Sequence, residues 1–366
     1  MPRLRRVDCS QPGIERRRRG RGFEYRHADG SRVTDAETLA RIDSLAIPPA
    51  WKAVWICTCD NGHLQAVGTD AAGRRQYLYH DQWRRHRDRE KYDRMLEFAC
   101  VLPALRDTTH EHFQLDDMPR EKVLACAVRM LDRGFFRVGT EQYADENGTF
   151  GIATLLKDHV TVEHDVLVFD YPAKHGIRRV QCLSDPDVVE VVTALKRRRG
   201  GLPQLLAWRD GRTWVDITSD DINDYIHRHG GEQFSAKDFR TWHATVLSAL
   251  ALAIADSETA ASARDGKLLS ASSRKRTITR VVKEVSTYLG NTPTVCRSSY
   301  IDPRVFDRYE SGSTIAGAVE KLKGFEDFEH PATQRALESA VLGLLEGRDA
   351  RMITRAASQV LATVPA

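Results

Sequence analysis

The chain has 366 residues, 41% of them hydrophobic, and a formal net charge of +4. This length is enough for two or three compact domains, and no run of about 18 apolar residues occurs that would span a membrane. The N-terminal segment is basic with no apolar stretch behind it, which argues against a secretory signal.

The N-terminal quarter predicts a small β-rich domain. Residues 1–25 are interpreted as a basic, flexible arm, because nine arginines and only three acids lie in residues 1–26. Two apolar runs, WKAVWICT and HLQAVGT, are joined by CDNGH, in which Asn61-Gly62 is typical of a hairpin turn. A further turn precedes RRQYLYH. We therefore expect an antiparallel sheet in a domain over residues 26–90.

From Asp81 onward the pattern becomes mainly helical. PREKVLACAVRMLDRG begins with a proline and ends at a glycine, as helices often do. A β-rich island at 159–183 predicts two strands, with Lys174 near the tip of the loop between them. Further helices are predicted at 186–199, 219–229, 236–256, 273–289 and 302–321. The expected fold class is α+β, with a mainly α domain over 91–330 and a helical tail over 331–366 packed on it.

Basic residues occur in clusters. Eight Arg or Lys and four acids lie in residues 74–94, segment 196–199 reads KRRR, and 274–276 reads RKR. Such clusters can form one positive face for nucleic acid once the chain folds. They can equally be solvated arginines on unrelated surfaces, and charge alone leaves both interpretations open.

The seven cysteines are odd in number, irregularly spaced and free of paired C-x-x-C sets. This pattern predicts no structural zinc and no metal site, and a reduced, cytoplasmic compartment fits it best. Cys57 and Cys59 lie two apart in a strand-like run, so we interpret them as packing residues.

Five reactive side chains lie in segments rich in turn residues. They are Arg137 in FFRVGT, Lys174 in FDYPAKHG, Arg240 in SAKDFRTWHAT, and Asn291 and Tyr300 in LGNTPTVCRSSYIDP. Arginine binds phosphate and stabilises charge on a pentacoordinate phosphorus. Tyrosine can form a covalent ester with phosphorus, and lysine can protonate a leaving alkoxide. Together these groups predict transesterification of a phosphodiester without a metal, and the lack of a P-loop motif fits a reaction without ATP.

The order of these segments resembles the active-site motifs of the type IB DNA topoisomerases, especially the poxviral and bacterial group. That order is Arg, Lys, K-x-x-R, then LG[HN]TP with the nucleophilic tyrosine nine residues further on, and the similarity runs from about residue 45 to 310. The resemblance implies a catalytic domain of the tyrosine recombinase type and a clamp around duplex DNA. It also implies relaxation of supercoils through a 3′-phosphotyrosyl intermediate, without cofactor, ATP or obligatory metal. A monomer in the cytoplasm, associated with the nucleoid, is expected.

Carried over residue by residue, the resemblance implies that Tyr300 is the nucleophile and that Arg137 and Arg240 hold the nonbridging oxygens of the scissile phosphate. Lys174 is implied as the general acid that protonates the leaving 5′ hydroxyl. Asn291 stands where many relatives have histidine. An amide can donate a hydrogen bond but cannot act as a base, so we assign Asn291 to transition-state stabilisation. The nearby arginines are expected to lower the pKa of Tyr300.

A second group of side chains, in the N-terminal domain, predicts DNA binding. The segment GRRQYLYHDQWRRHR places Tyr77 and Tyr79 on one face of a strand beside Gln76. Such a strand can enter the major groove, where glutamine pairs with adenine and tyrosine contacts a thymine methyl. It resembles the Q-Y-x-Y element of poxviral relatives, in which Arg74 and Arg87 match neighbouring basic positions. Two further residues match DNA contacts of the family: Tyr143 and Lys237.

Each of these residues also has an ordinary structural interpretation. Taken alone, Tyr300 is a packing tyrosine, Arg137 a helix-end cation, and Lys174 a solvated loop lysine. The tyrosine-bearing strand could present one face to a core. Their joint occurrence in family order favours the functional interpretation. His243, on an otherwise apolar helix, is interpreted as a packed core residue.

Two other functions remain open from the sequence. A tyrosine recombinase shares the chemistry, but it usually has H-x-x-R where this chain has Lys237, and a helical N-terminal domain. The LGNTP segment also differs from the usual recombinase context. A DNA-binding architectural protein without catalysis is the alternative from another class, and the complete catalytic set argues against it. Relaxation of a supercoiled plasmid without ATP or magnesium would distinguish the three.

Overall fold

The computed structural model describes residues 3–262, 270–322 and 330–362. It does not describe the side chains of residues 143, 259–262 and 362. The chain divides into two compact units, Met1–Arg94 and Met95–Ala366. The smaller unit is built on a β-sheet and the larger one is mainly helical, which confirms the predicted α+β class.

The first unit contains a five-stranded antiparallel sheet and a short helix. The strands are β1 (Ile14–Arg19), β2 (Gly22–Arg26), β3 (Lys52–Ile56), β4 (Leu64–Thr69) and β5 (Arg75–Tyr79), in the order β2-β1-β3-β4-β5. β3 and β4 pair on either side of the predicted turn at Asn61-Gly62. Helix α1 (Ala36–Ser44) begins at Asp35, whose carboxylate accepts a hydrogen bond from the Thr38 amide at 2.8 Å.

The core of this unit is formed from one face of the sheet together with residues of α1. Its buried members are Ile14, Val33, Ile42, Val54, Ile56 and Ala66. Leu78 of β5 packs against this cluster. Because side chains alternate along a strand, the residues on either side of Leu78, Tyr77 and Tyr79, are left exposed.

The flexible arm expected over residues 1–25 is wrong from residue 14 onward, because β1 and β2 form a hairpin there. Ile14 is buried in the sheet core. Arg16 donates three hydrogen bonds, of 2.8–3.2 Å, to carbonyls of the 47–51 loop. The sequence analysis missed this strand because four consecutive arginines show no alternation of apolar and polar residues. In a strand, however, successive arginines point to opposite faces of the sheet.

Within its described residues, the second unit is mainly helical and carries two small antiparallel sheets. Helix α2 (Asp81–Phe113) contains the division between the units. The other helices are α3 (Arg120–Gly134), α4 (Glu141–Asn147), α5 (Pro186–Arg197), α6 (Ser219–Gly230), α7 (Ala236–Ser262), α8 (Ala271–Leu289), α9 (Pro293–Ser299), α10 (Pro303–Glu310), α11 (Ala316–Leu322), α12 (Pro331–Leu345) and α13 (Ala350–Ala362). One sheet contains β6 (Val160–Glu163), β7 (Val166–Ala173) and β8 (Ile177–Leu183), and the other contains β9 (Ala207–Asp210) and β10 (Thr213–Asp216).

Helix α3 lies in the centre of this unit. Eleven of its 15 residues are buried, and it packs against α5, α6 and α7. A helix that is buried on nearly all sides is held in place by its neighbours, so it fixes the position of the segments attached to it. It ends at Phe135, which has φ +54° in the left-handed region and turns the chain into the Arg137 segment.

The structure differs from the sequence prediction in several elements of this unit, among them the unpredicted helices α4 and α9 and a third strand in the β6–β8 sheet. The helix predicted over 302–321 is two helices, α10 and α11, because Gly312 adopts φ +85° after α10. The β9–β10 hairpin was not predicted, since four-residue strands are too short to show a clear alternation.

The KRRR cluster is partly structural. The Lys196 ammonium donates hydrogen bonds to the carbonyls of Lys157 and Val160 at 2.8 and 2.6 Å. The guanidinium of Arg198 is buried and donates to four carbonyls of the 195–205 segment. The alternating pair, Arg197 and Arg199, is exposed. Lys196 and Arg198 therefore fit neither interpretation, because both bind backbone carbonyls within the protein, and both interpretations stay open for Arg197 and Arg199.

Candidate active site

Arg137 is positioned by the loop that follows α3. Its neighbour Phe136 is buried and contacts the rings of Phe169 and Tyr171, with centroids 4.9 and 6.2 Å apart. The Arg137 carbonyl accepts a hydrogen bond from the Ile152 amide at 2.9 Å. These contacts fix the backbone from which the arginine side chain extends.

Two glycines hold the rest of this loop in close contact. A Cβ on Gly151 would lie 2.5 Å from the Gly139 nitrogen, and Gly139 has φ +74°. Only glycine at both positions lets the two backbone segments approach so closely. The glycine two residues after Arg137 is therefore required by packing.

Arg240 lies on α7 and is 4% exposed. Its guanidinium donates hydrogen bonds to the carbonyls of Phe135 and Leu289, both at 2.7 Å. The adjacent core residues Phe239 and Trp242 are fully buried, so the helix that carries Arg240 is anchored in the core. Arg240 thus links the C-terminal turns of α3 and α8.

Tyr300 is reached through a short helix that follows α8. Gly290, with φ +64°, ends α8. Thr292 and Pro293 then begin α9, with the threonine hydroxyl as N-cap and the proline in the first turn. Tyr300 is the C-cap residue of α9, and its amide donates to the Cys296 carbonyl at 3.0 Å. The chain from Asn291 to Tyr300 therefore consists of the turn that ends α8 and the short helix α9.

Two guanidinium groups act on the Tyr300 side chain. The Arg240 guanidinium carbon lies 5.4 Å from the centre of the Tyr300 ring, and the charges of Arg240 and Arg137 both favour the phenolate. Burial by itself raises the pKa of this phenol, but the two cations outweigh burial, so the pKa of Tyr300 falls below its ordinary value. Burial and the neighbouring Arg137 lower the pKa of Arg240 to about 10, which leaves it protonated at neutral pH. The predicted direction for Tyr300 is confirmed.

Arg137 orients the side-chain amide of Asn291. Its guanidinium donates to Asn291 Oδ1 at 2.6 Å and to the Gly290 carbonyl at 2.9 Å. The other end of the amide, Asn291 Nδ2, is buried and has no hydrogen-bond partner among the described residues. Buried donors are nearly always paired, so this free N–H group is available to an acceptor such as a phosphate oxygen.

Lys174 lies at the tip of the β7–β8 hairpin, as predicted. His175 and Gly176 complete the tip, with φ of +67° and +71°. The Lys174 side chain is exposed and makes no hydrogen bond within the part of the chain that the structure describes. The structure brings together the other four predicted catalytic residues: Arg137, Arg240, Asn291 and Tyr300.

Two further residues of this region were missed by the sequence analysis. Tyr171 and Arg179 lie opposite each other in the β7–β8 ladder, and the Arg179 guanidinium is the main cation that acts on the Tyr171 hydroxyl. Arg179 also donates to the Tyr288 carbonyl at 2.7 Å. Burial raises the pKa of Tyr171 to about 12, so its hydroxyl stays protonated. The signal was available, because a hairpin centred on the Lys174 loop pairs these two positions.

The first unit presents exposed aromatic and basic side chains on β5. Tyr77 and Tyr79 are 44% and 39% exposed, and their stacked rings have centroids 6.2 Å apart. The prediction that they share a face is confirmed. The Arg75 guanidinium lies 5.8 Å from the centre of the Tyr77 ring. Arg75 was not predicted, although strand alternation places it on the same face.

The other predicted DNA contacts of the first unit have acidic partners. Asp70 accepts hydrogen bonds from Arg74 Nε at 3.0 Å and from Gln76 Nε2 at 2.9 Å. Arg87 is exposed on α2 and donates to Glu90 at 3.1 Å. Exposed pairs of this kind are weak, so the basic groups can exchange these partners for phosphate.

The remaining predicted residues lie in the second unit. Lys237 is exposed in the first turn of α7, one turn before Arg240. Tyr143 belongs to α4, but its side chain lies outside the described residues. His243 is buried, as predicted, with Nε2 3.1 Å from a carboxylate oxygen of Asp132.

Within residues 3–262, 270–322 and 330–362, no helix is long and apolar enough to cross a membrane. The same residues contain no group of three or more His, Cys, Asp or Glu side chains arranged to hold a metal ion. The seven cysteines are free thiols.

Comparison with protein-family models defines the class of this protein. Residues 80–324 match the model for the catalytic core of eukaryotic DNA topoisomerase I. Residues 22–70 match the model for the N-terminal domain of bacterial DNA topoisomerase IB. The first match alone covers about two thirds of the chain. The chain therefore belongs to the type IB DNA topoisomerases.

Individual relatives agree with this class. DNA topoisomerase 1B of Acanthamoeba polyphaga mimivirus is 29% identical over 302 residues, which are 82% of this chain and 88% of the relative. DNA topoisomerase 1B of vaccinia virus (strain Copenhagen) is 26% identical over 111 residues, which are 30% of this chain and 35% of that protein. DNA topoisomerase 1 of Mycosarcoma maydis is 22% identical over 213 residues, which are 54% of this chain and 20% of that protein.

The predicted family and activity are thereby confirmed. The protein is an isomerase that relaxes supercoiled duplex DNA by transient cleavage of one strand and religation, through a 3′-phosphotyrosyl intermediate and without ATP. The recombinase and the non-catalytic alternatives are set aside.

Proposed function

We propose that Tyr300 is the nucleophile of this topoisomerase, that Arg137, Arg240 and Asn291 bind the scissile phosphate, and that Lys174 is the general acid. The observation that carries this proposal is the position of Arg240, 5.4 Å from the centre of the Tyr300 ring, together with the contact between Arg137 and Asn291 at the end of α8. Two like charges at one site repel each other unless a negative group lies between them. A phenolate, and then a phosphate, supplies that negative group.

In the cleavage step, Tyr300 Oη attacks the phosphorus as a phenolate, whose proton has gone to solvent. A bond forms between Oη and phosphorus, and the bond from phosphorus to the 5′ oxygen breaks. The leaving oxygen takes a proton from Lys174 Nζ and becomes a 5′ hydroxyl. One phosphate ester replaces another, so no ATP is required.

Charge grows on the nonbridging phosphate oxygens as the step proceeds. Arg137 and Arg240 supply cationic donors to these oxygens, and the free Nδ2 of Asn291 supplies a neutral one. Because Arg137 already orients the amide, little reorganisation is needed when the phosphate arrives. Religation is the reverse reaction, after the free 5′ end has swivelled about the intact strand.

We further propose that a monomer closes as a clamp around duplex DNA. Residues 26–90, together with the β1–β2 hairpin of the same sheet, would act as the DNA-binding domain, 91–330 as the catalytic domain and 331–366 as a helical tail packed on it. The exposed aromatic and basic side chains of β5 support a groove contact. The proposed DNA-binding residues are Arg74, Gln76, Tyr77, Tyr79, Arg87, Tyr143 and Lys237. Association with the nucleoid in the cytoplasm follows from this substrate.

Plasmid relaxation and adduct formation test the nucleophile. The wild-type protein is expected to relax supercoiled plasmid in EDTA without nucleotide and to give a covalent protein–DNA band on a denaturing gel. Tyr300→Phe should bind duplex DNA but give neither signal. Tyr309→Phe removes a hydroxyl from a buried tyrosine on α10 and should keep both. An adduct with Tyr300→Phe, or a strict requirement for magnesium, would contradict the proposal.

A further inference from the structure

Strand β8 carries two polar side chains on the face that is turned toward the core. Arg179 and Gln181 lie two residues apart, so they share a face, and they pair across the ladder with Tyr171 and Phe169. Tyr171 and Phe169 are 3% and 0% exposed. Placing a guanidinium and an amide on such a face is costly unless both groups have defined partners.

Those partners are the ends of two different helices. Gln181 Nε2 donates to the carbonyl of Gly134, the last residue of α3, at 2.9 Å. Arg179 Nη2 donates to the carbonyl of Tyr288, in the last turn of α8, at 2.7 Å. Arg179 Nε donates to Gln181 Oε1, so the two side chains form one continuous link. We call this pair the β8 strut.

Arg240 spans the same two helix ends, one residue further along each. Its two acceptors, the carbonyls of Phe135 and Leu289, immediately follow Gly134 and Tyr288. The β8 strut and Arg240 are therefore parallel links between the same pair of turns. Because the Arg240 guanidinium donates to both carbonyls, its position depends on the distance between them.

The turn at the end of α8 also packs directly on the strut. A Cβ at Gly290 would lie 2.5 Å from Arg179 Nη1. Loss of the guanidinium would therefore leave this turn without its support, as well as without a hydrogen bond.

We propose that Arg179 and Gln181 are positioning residues for DNA cleavage, which fix the ends of α3 and α8 so that Arg240 meets Tyr300 and the scissile phosphate. This inference rests on the proposed roles of Arg240 and Tyr300. Neither residue of the strut is required to touch the reacting atoms. Misplacement of a catalytic group by about 1 Å can slow a reaction on the order of 100-fold.

Single-turnover cleavage of a saturating duplex tests the strut. Arg179→Met and Gln181→Leu keep similar side-chain lengths but remove the hydrogen bonds. We expect each to slow cleavage by roughly 10- to 100-fold. Because Arg240 lowers the pKa of Tyr300, we also expect the pH–rate profile to move to higher pH. Arg179→Lys, which keeps a donor for the Tyr288 carbonyl, should recover part of the rate. An unshifted profile would overturn the proposal.

A double-mutant cycle shows whether the strut acts through Arg240. In an Arg240→Ala background, Arg179→Met should have little further effect, because the group it positions is gone. If Arg240→Ala is slow and Arg179→Met slows it again by the same factor as in the wild type, the proposed role of the β8 strut is overturned. The proposed role of Arg240 then still holds. Normal cleavage by Arg240→Ala would overturn the proposed function as well.

Arg198→Met is the matched control. Arg198 is a buried arginine of the second unit that, like the half-buried Arg179, donates to backbone carbonyls, but its acceptors lie in the 195–205 segment. Its loss should lower the unfolding temperature and leave the cleavage rate and its pH profile unchanged where the variant is folded. If Arg198→Met slows cleavage as much as Arg179→Met does, the effect is general destabilisation and the proposal fails.

Discussion

The arginines of the site are held mainly by backbone carbonyls at helix ends. Arg240 binds the Leu289 carbonyl and Arg137 binds the Gly290 carbonyl, both at the C-terminus of α8. The last carbonyls of a helix lack partners within the helix and carry partial negative charge. They can therefore hold a guanidinium without the full charge of a carboxylate, which would compete with phosphate for the same donors.

Lys174 is the residue whose role depends most on the leaving group. If it is the general acid, Lys174→Ala should slow cleavage of ordinary DNA by about 10²–10⁴-fold. A substrate with sulfur at the bridging 5′ position has a better leaving group and needs no proton, so the defect should largely vanish. The defect of Arg240→Ala should persist, because the role proposed for Arg240 is to stabilise charge on the phosphate and not on the leaving oxygen. Equal Lys174→Ala defects on both substrates would show that the lysine only contacts DNA.

The pH dependence of cleavage reports on the arginines around Tyr300. Arg137 and Arg240 lower the pKa of the phenol, so the wild-type enzyme forms phenolate at lower pH than a free tyrosine does. In Arg137→Ala one cation is lost, the pKa of Tyr300 rises, and the ascending limb of the single-turnover pH–rate profile should move to higher pH. Arg120→Ala removes an arginine paired with Asp221 on the protein surface and should leave the profile in place. An unchanged profile in Arg137→Ala would argue against the assigned contact.

At the scale of elements, a buried charge network joins α2, α3 and α12. The Arg106 guanidinium donates two hydrogen bonds to Asp132 at 2.8 and 2.9 Å and two to Glu338 at 2.7 and 2.8 Å. His243 and Trp242 of α7 bind the same two carboxylates. Helix α12 is thereby linked to α3 and α7, which position Arg137 and Arg240.

Removing the central cation should strongly destabilise this unit. Arg106→Met leaves two buried carboxylates without their cation, which typically costs about 3–5 kcal/mol. Arg335→Met breaks an exposed ion pair between the same two helices, α12 and α2, and should cost at most about 1 kcal/mol. Urea unfolding of both variants measures the difference. Similar losses in the two variants would mean that Arg106 contributes no more than a surface pair.

At the scale of the whole molecule, DNA affinity depends on which arginines are free to reach phosphate. Arg16 is occupied by loop carbonyls, whereas Arg87 has only an exposed acidic partner. The total charge therefore overstates the number of phosphate contacts. That number depends on the exposed basic side chains alone.

The salt dependence of duplex binding measures how many basic side chains contact phosphate. With Tyr300→Phe, which is expected not to cleave, the logarithm of the affinity should fall linearly with the logarithm of salt concentration. Arg87→Ala should reduce the slope by about 1, since one phosphate contact is lost. Arg16→Met, in the same unit, should leave the slope unchanged. A slope that Arg16→Met changes as much as Arg87→Ala does would contradict this division of the arginines.

Local patterns in the sequence determined the elements and the chemistry. Gly290 marks the end of α8, because few residues tolerate its left-handed backbone conformation, and Asn61-Gly62 lies in the loop between β3 and β4. The family order of Arg137, Arg240 and Tyr300 predicted the reacting groups. The tertiary structure decided which residues support them. The β8 strut joins segments far apart in the chain, and the Gly139–Gly151 contact joins two loop segments on either side of α4. Local sequence patterns contain no signal for either contact.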